Sequence, residues 1–182
     1  MEETLSPQEL EKEAERAYKK KNYLSAAEAF QASAEGYSQN GLELEAAEML
    51  NNASVAYLQA KQPESALEAA IGTDKTFASA GDQRRQAIAL GNQAAAYEAL
   101  GEIDAAAQAY QTSADMLKKI GDHEFRPTVM QSLAAIKMRQ GQQLEALVTM
   151  QAGLDGVENP GFKQKILKKI LRSPFSYFNR LS

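Results

Sequence analysis

Three stretches of this chain carry residue types that could do chemistry. In "GDHEF", residues 121–125, the single histidine, His123, stands between Asp122 and Glu124, a setting in which it could act as a general base. The plainer reading is a solvent-exposed residue in the first turn of a helix. One histidine in a chain without cysteine cannot supply the nitrogen and sulfur ligands usual at zinc. Residues 9–15 offer four carboxylates, Glu9, Glu11, Glu13 and Glu15. Side chains two apart on a helix point to different faces, so these read as a solvated helix start and not as an acid–base pair. "GTDKTFASAGD", residues 72–82, sets Lys75 beside Thr76 but lacks the glycines that turn backbone N–H groups onto a phosphate. No nucleophile elbow is present. The sequence therefore predicts no catalytic residue, no metal and no cofactor, and the protein is not expected to be an enzyme.

The elements that would position any functional group are helical. Alanine dominates the apolar positions, only 7% of the 182 residues are aromatic, and none is Trp. Such composition favours helix throughout. The absence of cysteine excludes disulfides and thiolate chemistry and fits a reducing compartment. No signal peptide and no apolar run near the about 20 residues of a membrane span is apparent, so a cytoplasmic protein is expected. The net charge of −4 conceals an asymmetry, because all six ionic residues after Glu158 are basic (Lys163, Lys165, Lys168, Lys169, Arg172, Arg180). The remainder is strongly acidic, which argues against nucleic acid as a partner, since phosphate neutralisation needs a broad basic face.

Self-similarity at a step of 40 residues runs through the chain. It links Gly41, Gly81, Gly121 and Gly161, then Ala26, Ala66, Ala106 and Ala146, then Leu10, Leu50, Leu90, Met130 and Ile170. Small residues keep it at Ala14, Ser54, Ala94 and Ala134, and again at Ser33, Thr73, Ser113 and Gly153. Each repeat reads as two helices, the first exemplified by Leu50, Ala53, Ser54, Tyr57 and Leu58, the second by Ala105, Ala106, Ala109, Tyr110, Ser113 and Leu117. Small residues at crossings let helix backbones approach. "SPQE", residues 6–9, is a capping box, with Ser6 as N-cap and Glu9 reaching back. Gly121 is a left-handed terminator, and Asp122 the expected next N-cap. Asp82 repeats that punctuation. Pro63 and Pro160 fall in turns. Pro127 conflicts with a helix starting at Asp122: either that helix starts later or it bends.

Residues 96–122, "AYEALGEIDAAAQAYQTSADMLKKIGD", resemble a tetratricopeptide repeat: a small residue, Tyr, Gly at the turn, then Ala, an aromatic and a small residue. Lys21 and Lys61 depart from the pattern by replacing that Gly, Lys137 replaces the Tyr, and the first Tyr comes one residue late, at Tyr18. The period exceeds the usual one of the superfamily. This long variant resembles spindle-orientation adaptors of the Pins type and is similar to the soluble attachment proteins of vesicle fusion. The resemblance implies an all-α, right-handed superhelix of four antiparallel helix pairs (6–40, 41–80, 81–120 and 121–160) plus a C-terminal capping helix. Residues 1–161 would form this solenoid.

The resemblance also implies that the first helices of the repeats line a concave groove for a peptide or helix of a partner protein. The slot two residues after Leu50 faces it, and holds Lys12, Asn52, Asn92 and Ser132 in turn. A carboxamide there can both donate to and accept from an extended peptide backbone; the alternative is a plain polar residue on a helix. Glu48, Asn51, Gln59, Gln131 and Arg139 are neighbouring groove candidates. The clamp that holds chaperone tails requires Lys, Asn and Arg in matching slots; Glu11, Glu15, Ile88 and Asn92 stand in four of them and only Asn52 agrees, so carboxylate tails are not the expected cargo. Arg84 and Arg85 at a helix start oppose its dipole and call for an acidic neighbour or a partner.

Residues 162–172 form a basic amphipathic segment, with Phe162, Ile166 and Ile170 on one face and Lys165 and Lys169 among the cations. They read as the capping helix of the stack. The second reading is an adaptor anchored to an anionic membrane surface by this segment. Pro174 ends the helix and leaves an aromatic tail, 173–182, with Phe175, Tyr177 and Phe178. Those rings fold back onto the last hairpin, insert in lipid, or occupy a groove of a second copy. Monomer and homodimer are both compatible with this chain.

Overall fold

A computed structural model describes residues 5–155. These contain nine helices and no strand: α1 Pro7–Lys19, α2 Tyr23–Gln39, α3 Glu43–Gln59, α4 Pro63–Ala70, α5 Thr73–Ser79, α6 Gln83–Leu100, α7 Ile103–Lys119, α8 Arg126–Arg139 and α9 Gln143–Leu154. The fold is an all-α, tetratricopeptide-like helical repeat. The chain divides into two compact bodies, Met1–Ser113 and Ala114–Ser182. The basic segment and the aromatic tail lie outside the described residues.

One turn design recurs along the whole described chain. Positive φ occurs at Lys21, Gly41, Lys61, Gly81, Gly101, Gly121 and Gly141, so the turns repeat every 20 residues, half the sequence period. In each, the left-handed residue donates its N–H to the carbonyl three back, and the next residue donates to the carbonyl five back, as in Lys61 to Leu58 and Gln62 to Tyr57. This is the Schellman arrangement, which satisfies the last carbonyls of a helix. Lys21 and Lys61, departures by residue type, adopt φ of 64° and make the same turn. A left-handed residue with a Cβ costs about 1 kcal/mol or more, offset here by the two hydrogen bonds.

In the N-terminal body, alanines fill the helix crossings. Ala14, Ala26, Ala27, Ala53, Ala56 and Ala66 are all fully buried, and Phe30, Met49, Tyr37 and Tyr57 occupy the gaps around them. Hydrogen bonds tie second helices to first helices. Ser33 Oγ donates to Pro7 O at 2.7 Å, and its repeat-mate Ser113 Oγ donates to Ala87 O at 2.6 Å. The predicted capping box is complete, with Glu9 accepting from Ser6 N at 2.8 Å.

Two expectations about helix continuity need correction. The second helix of the second repeat is broken: α4 ends at Ala70, and α5 starts at Thr73 behind Gly72, whose φ is 88°. Thr73 Oγ1, 2.7 Å from Ala70 O, and Gln93 Nε2, 3.0 Å from it, satisfy a carbonyl that the break exposes. The stretch "GTDKT" is thus a helix start and not a phosphate loop. The other correction concerns Asp122. Its Oδ1 accepts from Glu124 N and Phe125 N at 2.9 and 2.8 Å, which closes a turn. Helix α8 begins four residues later, so Pro127 falls in its first turn and the conflict disappears. Asp82, by contrast, does cap α6, accepting from Arg85 N at 2.8 Å.

In the C-terminal body, α8 and α9 pack through Val129, Met130, Leu133, Ile136, Ala146 and Leu154. Gly153 lies so close to α8 that a Cβ there would sit 2.6 Å from Met130 Cβ. Buried Arg126 donates from Nη1 to Ala152 O at 2.7 Å, near the C-terminal end of α9, where a cation is favoured.

Candidate functional site

Helix α3 carries two kinds of residue on adjoining faces. Glu48, Asn52, Val55 and Gln59 follow each other at helical spacing and share one face. Asn51, one step further round than Leu50, belongs to another.

The Asn52 face borders a cleft of about 390 Å³ between α1 and α3, lined by Glu15, Tyr18, Lys19, Phe30, Asn52 and Val55. Phe30, from α2, is 5% exposed and floors it. Tyr18 is fixed on one side by an edge-on contact with Tyr23, ring centroids 5.2 Å apart. Glu15 and Lys19 pair across one turn of α1 at 3.6 Å, both well exposed. The site therefore combines an apolar floor, one carboxamide, and a loose pair of opposite charges at the rim. It can seat an apolar side chain and hydrogen-bond the backbone that carries it.

Among the groove candidates, Asn52 alone lines this cleft. Asn51 is a correction: it is buried, and its Oδ1 lies 3.2 Å from Thr73 Oγ1 and accepts from Asn92 Nδ2 at 3.4 Å. It belongs to the packing beneath α5 and α6. Asn92 is thereby turned toward Asn51, and so does not reproduce the setting of Asn52. Glu48 is exposed and bound to Arg85 Nη1 at 3.1 Å. Lys12 and Gln59 are exposed on α1 and α3, while in the C-terminal body Gln131 and Arg139 are exposed and Ser132 is half-buried on α8. Tyr18, Phe30 and Val55 also line the cleft, and the repeat pattern alone does not single them out. The visible signal is Tyr18, one residue late against the repeat pattern: it is half-buried, packed on the core cluster, and also lines the cleft.

Electrostatics near the site are local. Hydrogen bonds from Arg85, backbone and side chain, hold Asp82 below the ordinary carboxylate range. Asp82 in turn, at 2.6 Å from Arg85 Nε, pushes that guanidinium up. Arg85 also lies 5.1 Å over the Phe77 ring. The acidic neighbour that the helix-start cation required is thus intramolecular. Tyr37, buried on α2 with its hydroxyl donating to Glu11 at 2.8 Å, is pushed up to about 12, chiefly by burial. Among the described residues no group of three or more His, Asp or Glu side chains converges on a cation site. No helix among them is long and apolar enough to cross a membrane.

A tetratricopeptide-like stack with an apolar-floored, polar-rimmed cleft on its first helices defines a protein of the helical-repeat class. Residues 5–152 match the family model described as soluble NSF attachment protein, SNAP, and the chain belongs to that family. No curated protein matches the chain.

Proposed function

We propose that this protein is a non-enzymatic attachment adaptor that holds a segment of a partner protein in the α1–α3 cleft. The observation that carries the reading is the cleft's composition. Phe30 and Val55 supply the apolar seat, and Asn52 supplies both a donor and an acceptor at its edge. An extended or helical segment with one protruding apolar residue fits this chemistry. Family membership supports the adaptor reading, and the family's name makes NSF the first large partner to test.

The test is a pull-down with full-length protein. The double variant Asn52→Ala/Val55→Asp is compared with Ile71→Asp, which alters an exposed residue at the α4–α5 break. Loss of one anchor and one hydrogen bond lowers partner recovery about tenfold or more. The Ile71 variant recovers partner as wild type does. Equal recovery by the cleft variant retires the cleft as the binding site. NSF is assayed separately, so its binding can survive loss of the segment.

A further inference from the structure

Half of the exposed large hydrophobic side chains among the described residues fall within eleven residues of the C-terminal body: Met138, Leu144, Leu147 and Val148. Leu144, Leu147 and Val148 share one face of α9 at helical spacing and are 69%, 37% and 51% exposed. The repeat supplies the control. The slot of Val148 holds Glu28, Glu68 and Gln108 in the preceding repeats, and all three are exposed. The slot of Leu144 holds Leu24, Glu64 and Asp104, also exposed. In the first two repeats another hairpin of the same body follows, and these two slots stay open there. The slot of Leu147 behaves differently: Ala27 is fully buried, with α3 packed on α2, and Leu67 and Ala107 are half-buried.

A capping helix in the stacking register would therefore cover Leu147 and leave Leu144 and Val148 in water. They are apolar where the earlier repeats hold Glu64, Asp104, Glu28, Glu68 and Gln108, with Leu24 the one exception. The chain's own length supplies the occupant. From Asp155 to Phe175 is a step of 20 residues, and each residue of extended chain spans about 3.3 Å or more. The ten-residue step from Leu154 back to Leu144 along α9 is about 15 Å. Phe175, Tyr177 and Phe178 are thus within the chain's reach of Leu144 and Val148.

We infer that the aromatic tail of this chain folds back onto the Leu144–Val148 face of α9 in the same molecule, completing the C-terminal body. The absence of cysteine from the sequence makes the test clean. Full-length Val148→Cys/Phe178→Cys is oxidised mildly, beside Gln108→Cys/Phe178→Cys, which puts the thiol in the same slot one repeat earlier. The expected result is a monomeric, intramolecular disulfide in the first variant only. Disulfide-linked dimers would assign the tail to a second copy and overturn the inference, as would equal or absent cross-linking in both. A Phe178→Trp variant gives an independent reading. Its emission is blue-shifted in buffer alone, and Leu144→Ser/Val148→Ser reverses that shift. A shift seen only with phosphatidylserine-containing vesicles assigns the rings to lipid and sinks the inference.

Discussion

The first and last hairpins of the described chain, α1–α2 and α8–α9, solve one packing problem from opposite sides. Pro7 and Pro127 occupy the same repeat slot, as do Ser33 and Gly153. In the first hairpin the second helix reaches across, with Ser33 Oγ donating to Pro7 O over an interval of 26 residues. In the last, the first helix does so over the same interval, Arg126 donating to Ala152 O. Glycine then replaces serine at Gly153, and the backbones close until α9 rests on Met130 Cβ. The slot demands smallness and a tie. Which helix donates the tie is free.

Breaking the cation tie should have the largest effect. Arg126→Ala removes a charge-assisted hydrogen bond and a buried aliphatic stem, and we expect a loss of about 3 kcal/mol in the C-terminal hairpin, measured by denaturant unfolding with hydrogen exchange resolved to α8 and α9. Gly153→Ala probes the close approach. The new methyl meets Met130 Cβ, which backbone holds in place, so a loss of about 2 kcal/mol is expected. An unchanged midpoint would mean that the crossing is looser than described. Ser33→Ala is milder, about 1 kcal/mol, because the Pro7 carbonyl keeps its place in the α1 ladder.

The smallest contrast is in pH. Tyr37 is pushed up to about 12, so between about 10 and 12 the folded chain keeps a proton that the unfolded chain has lost. Stability contributed by Tyr37 is fully present below pH 10 and declines as pH rises through that window. Helices α8 and α9 contain no tyrosine. Alkaline titration should therefore loosen α1–α2 protection first, and Tyr37→Phe should flatten the dependence.

Much of the fold was legible because the repeat writes each packing slot several times. The capping box at Ser6, the terminator at Gly121 and the small residues at crossings needed only local chemistry. The turn slot was legible at Lys21 and Lys61 but its conformation was not, since both make a glycine's turn without being glycine. The break at Ile71–Gly72 was also hidden, because its support comes from Gln93 on another helix. For the cleft, the repeat pointed to Asn52 but could not separate it from Asn51. Those neighbours differ by one step round α3, and only the packing of α5 and α6 decides which is interior. Ser54 shows the same limit. It takes a slot that is alanine in the other three repeats, and its hydroxyl is buried without a hydrogen-bond partner.

The turn that recurs every 20 residues bears on how the chain is made. Each turn satisfies its helix end with residues already synthesised, because every bond in it points back along the chain. A helix leaving the ribosome can be closed off before the following one exists, then dock on its predecessor, as α2 does on α1 and α3 on α2. Such short-range assembly keeps contact order low and leaves little time for exposed apolar surface to meet another chain.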